Sequence, residues 1–335
     1  MSWKSESDTF QALVVEKEGE RFEVGVKTLR IEDLPAGDVL IHVAFSGVNY
    51  KDGLACIPNG GIVRSYPHVP GIDLAGFVVQ SADARFQAGQ AVLVTGFDLG
   101  VAHFGGLSEL ARVPAEWVVP LPAGLEPHEA MTIGTAGLTA AMSVDRLEKN
   151  GLRPEHGPVL VTGATGGVGS FAVALLAAKG YRVAAATGKA AEHDYLRSLG
   201  AQEIIGRSEL SPEAIRPLEK QRWAAAVDPV GGRSLAYILA SVRYGGAVAV
   251  SGLTGGGEIP AAVHPFILRG VSLLGIDSVQ YPAELRYELW ERTAAALKPT
   301  GHLERIARRI RLDEVPGYAA EILKGRMRGR VIVEL

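Results

Sequence analysis

The first third of the chain alternates short apolar runs with turn residues. Gln11–Val15, Asp38–Ala44 and Val92–Thr95 are rich in aliphatic and β-branched residues, and Pro70-Gly71 lies between two of these runs. Apolar runs that are separated by proline and glycine predict short strands. Because few segments here have a helical period, we expect a mostly antiparallel, barrel-like domain.

From about residue 158 onward, strand-length apolar runs alternate with helical stretches. Helices are predicted at Ser170–Lys179 and Ala191–Leu199, and strands at Pro158–Thr162, Tyr181–Thr187, Ala201–Ile205, Trp223–Val227, Ala247–Ser251 and Val271–Ile276. This alternation predicts an α/β fold with a Rossmann-type, doubly wound parallel sheet. The last predicted strand, Gly329–Glu334, returns to the first domain. We expect a catalytic barrel-like domain at residues 1–130 and 300–335, and a dinucleotide-binding domain at residues 131–299.

The segment Val159–Gly169 places a glycine-rich turn between a predicted strand and a predicted helix. Gly163 permits a tight turn, and Gly169 lets the helix pack closely on the strand. Backbone N–H groups at the helix N-terminus, where the helix dipole is positive, suit a pyrophosphate. The predicted cofactor contacts in this turn are Thr165, Gly166, Gly167 and Val168. The alternative is a tight turn that binds no ligand.

The end of the second strand of this domain indicates which dinucleotide binds. An NAD enzyme carries an acid about 20 residues beyond the glycines, where this chain reads Thr187-Gly188-Lys189. Lys189 and Arg207 supply positive charge, and Thr187 supplies a hydroxyl group. Positive charge and a hydroxyl donor both suit a ribose 2′-phosphate. We therefore expect NADPH, with Thr187, Gly188, Lys189 and Arg207 as contacts. The alternative is that both cations are solvated loop residues.

Composition narrows the class of partner. The 335 residues are 47% hydrophobic and carry a formal net charge of −3, which is unlike a nucleic-acid or membrane-surface binder. The single cysteine, Cys56, rules out an internal disulfide and points to a reducing compartment. Met1–Glu6 lacks an apolar signal stretch, and no apolar run is long enough to span a bilayer. We expect a cytoplasmic protein whose partner is a small molecule.

Four further motifs carry a family resemblance. They are Asn49-Tyr50-Lys51-Asp52, Pro70–Gly76, Gly134–Ala140 and Val227–Gly232. With the glycine turn, they resemble the medium-chain dehydrogenase/reductase superfamily, and more narrowly its acrylyl-CoA reductase and quinone oxidoreductase branch. The resemblance covers nearly the whole chain. It implies a GroES-like fold for the first domain and a homodimer, in which Val271–Ile276 would extend the sheet across a two-fold axis.

The resemblance also shows a departure from the zinc-using members of the superfamily. Those members carry a cysteine ligand where this chain has Asn49, and a histidine ligand where it has Ile72. An amide binds zinc poorly and an isoleucine side chain cannot bind it. The cysteine-rich lobe of a structural zinc site is absent as well, so we expect no metal.

The resemblance implies a set of site residues. Tyr50 lies beside the nicotinamide and is the candidate proton or hydrogen-bond donor, while Asp52, Asp73 and Asn49 complete the predicted catalytic set. The alternatives are a buried, satisfied tyrosine and carboxylates that only cap a turn or helix. Later cofactor contacts are expected at Leu253 and Ser278, and Arg326 is included from the arginine run near the C-terminus. The alternatives for that run are a site for a coenzyme A phosphate and, more in keeping with its composition, a solvated basic helix.

Without zinc to polarise a carbonyl, the substrate is expected to accept hydride at carbon. A short enoyl thioester such as acrylyl-CoA fits this requirement best, and its C=C bond would be reduced with NADPH. A quinone is the alternative acceptor. A non-catalytic, NADPH-binding redox sensor is the alternative from another class.

Overall fold

A computed structural model of the chain describes residues 9–335, without the side chains of residues 283 and 299. The elements up to residue 149 are β1 (Thr9–Glu18), β2 (Arg21–Arg30), β3 (Val39–Val48), α1 (Tyr50–Ala55), β4 (Asp73–Ser81), β5 (Ala91–Thr95), β6 (Leu110–Val113), β7 (Val119–Pro120) and α2 (Pro127–Lys149). Helix α2 is interrupted at Gly134, where φ is +51° and ψ is −162°. Met1–Glu6, whose composition predicts no signal stretch, lies outside the described residues.

The rest of the chain alternates strands and helices as the sequence predicts. The elements are β8 (Val159–Val161), α3 (Gly167–Ala178), β9 (Val183–Thr187), α4 (His193–Ser198), β10 (Glu203–Gly206), β11 (Trp223–Asp228), α5 (Gly232–Ser241), β12 (Val242–Val250), α6 (His264–Arg269), β13 (Ser272–Gly275), α7 (Ala283–Leu297), α8 (His302–Ile306), β14 (Ala307–Arg311), α9 (Val315–Leu323) and β15 (Arg330–Glu334).

Two compact units make up the described chain. One ends at Thr135 and continues through Val279–Ala294 and Ala307–Leu335, and the other comprises Ala136–Ser278 and Ala295–Ile306. We call them the first and the second unit. The division differs from the predicted boundary, because residues 279–294 belong to the first unit. Arg286 explains the difference, since its side chain is fully buried and donates a 2.8 Å hydrogen bond to the carbonyl of Thr95.

The second unit is built on a parallel sheet of six strands in the order β10-β9-β8-β11-β12-β13. Every residue of β8, β9 and β11 is buried, as expected of a parallel sheet with helices on both faces. The core of this unit includes Leu160, Trp223, Leu239 and Val248. Because all six strands are parallel, the loops that follow them lie at one edge of the sheet. The predicted Rossmann-type fold is confirmed.

The first unit contains a sheet in the order β14-β15-β3-β4-β5-β7, with β6 also paired to β3. Neighbouring strands are antiparallel except for the parallel pair β14 and β15. Val331 of β15 lies opposite Val48 of β3, and Ser46 of β3 lies opposite Leu74 of β4. This register brings the end of β3 beside the first residues of both β4 and β15.

Candidate functional site

The glycine turn of the second unit leaves a helix N-terminus without a side-chain cap. Gly163 has φ of +51°, and its carbonyl accepts a 2.9 Å hydrogen bond from the N–H of Gly166. Helix α3 begins at Gly167, and no side chain among residues 9–335 caps it. The first N–H groups of a helix have no partner within that helix, so they can bind an anion. A Cβ atom at Gly169 would lie 2.6 Å from the Cα of Ala164, so glycine is required for this close packing.

Two cationic residues meet beside the end of β9. The backbone N–H of Lys189 donates a 3.0 Å hydrogen bond to the hydroxyl of Thr187, which is nearly buried. The stem of Arg207 lies beside Gly188, where a Cβ atom would be 3.6 Å from the Arg207 Cδ. Partial burial lowers the pKa of Lys189, Glu192 raises it, and the positive charge of Arg207 lowers it. Two cations and a hydroxyl group at one corner suit a phosphate.

The loops after β12 and β13 lie at the same edge of the sheet as the glycine turn. Leu253, in the first of these loops, is 68% exposed, and Ser278 follows β13. The hydroxyl of Ser251 is buried and has no hydrogen-bond partner among the described residues. A buried polar atom without a partner suggests contact with a ligand. The edge of this sheet therefore has the features that a dinucleotide requires.

Asp228 is a residue of this edge that sequence reasoning did not assign. It lies fully buried at the end of β11 and accepts a 2.9 Å hydrogen bond from the N–H of Gly231. The hydroxyl of Thr162, next to the glycine turn, also donates to it. Burial raises the pKa of Asp228, while these hydrogen bonds lower it. Its position within Val227–Gly232 was a signal, since this motif carries an acid directly after an apolar strand.

Arg326 is the one predicted cofactor contact apart from Tyr50 that lies in the first unit. It follows α9, is exposed, and makes a bidentate ion pair with Glu321, with an Nε–Oε2 distance of 2.6 Å. The other predicted contacts, from Thr165 to Ser278, lie in the second unit, at the end of a parallel strand or in the turn, loop or start of a helix that follows one.

The predicted catalytic residues come together at the end of β3 and the start of β4. Tyr50 is the first residue of α1 and is 40% exposed, so the alternative of a buried tyrosine is excluded. Asp52 is fully buried and accepts hydrogen bonds from the backbone N–H groups of Asn49 at 2.7 Å, Gly71 at 3.0 Å and Ile72 at 3.0 Å. Its carboxylate therefore caps α1 and holds the loop before β4 against the end of β3.

The pKa of Asp52 is raised to about 7, chiefly by burial and also by the negative charge of Asp73, against the hydrogen bonds from Asn49 and Ile72, which lower it. Desolvation penalises the charged form, whereas N–H donors favour it. The burial of Asp52 and its backbone partners agree with a capping role.

Asp73 lies in a buried ion pair that sequence reasoning missed. Its carboxylate is 2.9 Å from Arg330 Nη2 and 2.9 Å from the side-chain nitrogen of Asn49. The N–H of Thr135 donates to it at 3.0 Å, and the Thr135 hydroxyl donates as well. Arg330 also donates a 2.6 Å hydrogen bond to the Asn49 side-chain oxygen. The available signal was an arginine that opens an apolar strand, since such a residue needs a buried partner.

The contacts of the Asn49 side chain decide whether this site could hold a catalytic zinc ion. Both polar ends of the Asn49 side chain are occupied by Arg330 and Asp73, and Ile72 has an apolar side chain. In the part of the chain that the structure describes, no three His, Cys, Asp or Glu residues form a group that could hold a metal ion. A guanidinium group beside the expected ligand position also repels a cation. The residues present therefore do not fit a catalytic zinc ion.

The two sheets, the glycine turn and the Asn49–Asp52 segment define an oxidoreductase of the medium-chain dehydrogenase/reductase class. The family model of the alcohol dehydrogenase GroES-like domain matches residues 35–123, and the model of the zinc-binding dehydrogenase matches residues 167–295. The chain belongs to this superfamily, in its branch of quinone oxidoreductases and acrylyl-CoA reductases, as its motifs predict.

Similar proteins cover nearly the whole chain. The quinone oxidoreductase YhfP of Bacillus subtilis is 56% identical over 98% of this chain and 100% of its own, and its crystal structure with NAD bound has a TM-score of 0.95. The acrylyl-CoA reductase AcuI of Ruegeria pomeroyi is 53% identical over 97% of this chain and 99% of its own. The yhdH oxidoreductase of Salmonella enterica, in complex with NADP, is 49% identical, with a TM-score of 0.94 over 97% of this chain and 99% of its own.

No helix within residues 9–335 is both long enough and apolar enough to cross a membrane.

Proposed function

We propose that the chain reduces a conjugated acceptor with NADPH, and that the acceptor is the C=C bond of a short enoyl thioester such as acrylyl-CoA. The observation that carries the choice of cofactor is the corner formed by Thr187, Lys189 and Arg207, where two cations replace the acid of an NAD site. Relatives in complex with NADP and NADPH support the same choice, although one relative holds NAD.

The residues that would hold NADPH are those at the edge of the parallel sheet. The N–H groups of α3 would bind the pyrophosphate, and Lys189 and Arg207 would bind the 2′-phosphate. The unpartnered hydroxyl of Ser251 and the exposed side chain of Leu253 would lie at the nicotinamide end. When bound there, NADPH supplies a hydride.

Tyr50 is the candidate for the remaining chemistry. As the β-carbon of the enoyl thioester is reduced, negative charge develops on the thioester oxygen and the α-carbon. A positioned hydroxyl group stabilises that charge mainly in the transition state, and a proton at the α-carbon completes the saturated thioester. Asn49, Asp52 and Asp73 are 8%, 0% and 0% exposed, whereas Tyr50 is 40% exposed, so Tyr50 is the member of this set with most access to a substrate.

A quinone is the second candidate acceptor. The name of YhfP, at 56% identity, favours it to the same degree as that of AcuI favours an enoyl thioester at 53%. A quinone requires no proton at carbon, so it would depend less on Tyr50. A redox sensor without catalysis would bind NADPH but turn over neither acceptor.

The proposal also includes the oligomeric state of the protein and its cellular location. We infer a homodimer through β13, which is the last strand of the six-stranded sheet and leaves one edge without a neighbouring strand in the described chain. Nearby, Ile267 and Leu268 of α6 are 72% and 57% exposed, which supports an apolar face that a second copy of the chain covers.

The single cysteine, Cys56, supports a reducing compartment such as the cytoplasm.

The test is NADPH oxidation against a panel of enoyl-CoAs, quinones and enals, repeated with a Tyr50→Phe variant. We expect acrylyl-CoA to have the highest kcat/KM and Tyr50→Phe to lower kcat for it by about 10²–10⁴-fold, the usual effect of a positioned general acid. NADPH affinity, measured by fluorescence, should change little. Turnover of quinones alone would establish the second candidate, and binding without any turnover would establish the sensor.

A further inference from the structure

The buried ion pair of Asp73 and Arg330 is not explained by stability alone. Their side chains are 0% and 3% exposed, and the charged atoms lie 2.9 Å apart. Taking two charges out of water is costly, and apolar residues of similar volume often stabilise a fold as well or better. The Arg330 guanidinium also donates to the carbonyl oxygens of Met131 and Val48, each at 3.3 Å. The pair therefore joins the end of β3, the start of β4, the start of β15 and the segment before the interruption in α2.

The pair holds Asn49 at both ends of its side chain. The side-chain oxygen accepts from Arg330 Nη1 at 2.6 Å, and the side-chain nitrogen donates to Asp73 at 2.9 Å. The backbone N–H of Asn49 donates to Asp52 at 2.7 Å. Three atoms of the residue directly before Tyr50 are thus fixed by buried partners. A bidentate contact fixes orientation as well as distance.

Two glycines leave the space that the pair occupies. A Cβ atom at Gly47 would lie 2.6 Å from Arg330 Nη2. At Gly134, a Cβ atom would lie 2.5 Å from the Asp73 carboxylate and closer still to Arg330. Gly134 has φ of +51°, a conformation that other residues rarely adopt. The interruption of α2 at Gly134 also directs the N–H of Thr135 at Asp73, at 3.0 Å. The surrounding backbone is therefore shaped around this pair.

We propose that the Asp73–Arg330 pair is a positioning element, which holds Asn49 and thereby fixes the orientation in which α1 presents Tyr50. Arg330 acts on the reaction through Tyr50 and does not touch the substrate. The inference rests on the proposed function in one respect, because it assumes that Tyr50 takes part in the reaction. An arginine thus orders the segment in which the zinc-using relatives carry a metal ligand.

A double-mutant cycle tests the inference in the full-length protein. Arg330→Lys keeps the charge but loses the two-pronged contact, and we expect it to lower kcat for acrylyl-CoA by about 10–100-fold, the effect of a small misplacement of a reacting group. KM for NADPH should change less than twofold. In a Tyr50→Phe background, Arg330→Lys should lower kcat by less than twofold, because the group on which it acts is already missing. A general loss of structure would lower kcat equally in both backgrounds.

The placement of the Tyr50 side chain can also be measured by ¹⁹F NMR, which does not depend on catalytic activity. With 3-fluorotyrosine at position 50, the native protein should give one narrow ¹⁹F signal, and Arg330→Lys a broad or doubled one. If Tyr50→Phe keeps its kcat, the proposed role of Tyr50 is wrong, and the ¹⁹F spectrum alone then decides whether the pair positions this residue. An unchanged ¹⁹F signal in folded Arg330→Lys would overturn the inference.

The matched control is Arg85→Lys, which alters a bidentate contact with Asp83 on the surface of the same unit. It should leave kcat and the ¹⁹F signal as they are in the native protein. If Arg330→Lys does not fold, Asn49→Ala replaces it, since this variant leaves the ion pair intact and cuts only its link to Tyr50. Asn49→Ala should give the same loss of kcat and the same ¹⁹F change, and a native kcat with a native ¹⁹F signal would overturn the inference.

Discussion

Single buried charges fix the local structure at the end of β3 and the start of β4, and Asp73 is the clearest case. Asp73→Asn keeps the shape of the side chain but leaves Arg330 buried without its counter-charge. Breaking a buried pair from one side costs about 3–5 kcal/mol, so we expect a loss of this size in the free energy of unfolding, measured in urea. Asp83→Asn, which removes a partly exposed partner of the exposed Arg85, is the control and should leave the unfolding midpoint nearly unchanged. Equal losses in both variants would contradict this account.

Lys189 is the residue that tests the choice of dinucleotide. Lys189→Ala removes one of two cations beside the end of β9, and we expect NADPH binding to weaken by about 1–3 kcal/mol, as is typical of a charge-assisted contact. NADH binding should hardly change, because NADH has no 2′-phosphate. Lys179→Ala, which removes a lysine paired with Glu148 elsewhere in the same unit, is the control. Fluorescence titration measures both dinucleotides, and native protein with equal affinity for the two would refute the preference.

At the scale of elements, Asp52 links α1 to the loop before β4, and its protonation should be visible in stability. Its pKa is raised to about 7 in the fold, against 3.8 for an ordinary aspartate. The folded state therefore holds this proton more tightly than the unfolded chain, so the stabilisation is complete below about pH 4 and is lost as the pH rises to about 7. Each pKa unit is worth about 1.4 kcal/mol, which gives a change of up to about 4 kcal/mol across this window.

The measurement is the free energy of unfolding in urea between pH 4 and pH 8, compared for native protein and Asp52→Asn. In Asp52→Asn, the free energy of unfolding should lack the fall with rising pH that Asp52 causes. The variant should also be less stable at every pH, because an amide cannot accept all three backbone N–H groups. The pH dependence of the free energy of unfolding therefore tests the protonation of Asp52, and the absolute stabilities of the two proteins do not. Parallel curves for the two proteins would show that Asp52 stays ionised throughout the window.

Elements whose pattern is local could be predicted from the sequence, and contacts between distant elements could not. The glycine turn, α3 and the strands of the parallel sheet follow from apolar runs and from glycines a few residues apart. Arg330 is 257 residues from Asp73, so no local pattern joins them. The division into units departs from the predicted boundary at residues 279–294 for the same reason, since the contact of Arg286 with Thr95 spans 191 residues. Asp52 and Asp73 were found from a motif, but their burial and partners required the structure.

At the scale of the whole molecule, the exposed apolar face of α6 and the edge strand β13 predict a dimer. Ile267→Glu places a charge at a residue that is 72% exposed in the single chain, so folding should not suffer. We expect the dimer to dissociate at concentrations at which native protein remains dimeric, as measured by light scattering. Tyr244→Glu, at a residue 79% exposed elsewhere in the second unit, is the control and should leave the mass unchanged. A native protein that is strictly monomeric at micromolar concentration would exclude the dimer.

The central claim is that hydride from NADPH reaches the β-carbon of a short enoyl thioester. The most direct measurement uses NADPH with deuterium at both C4 positions of the nicotinamide, acrylyl-CoA as acceptor, and NMR or mass spectrometry of the product. The account predicts a propionyl thioester with one deuterium at the β-carbon and none at the α-carbon, where the proton comes from Tyr50 or water. A product without deuterium, or with deuterium at the α-carbon, would contradict it.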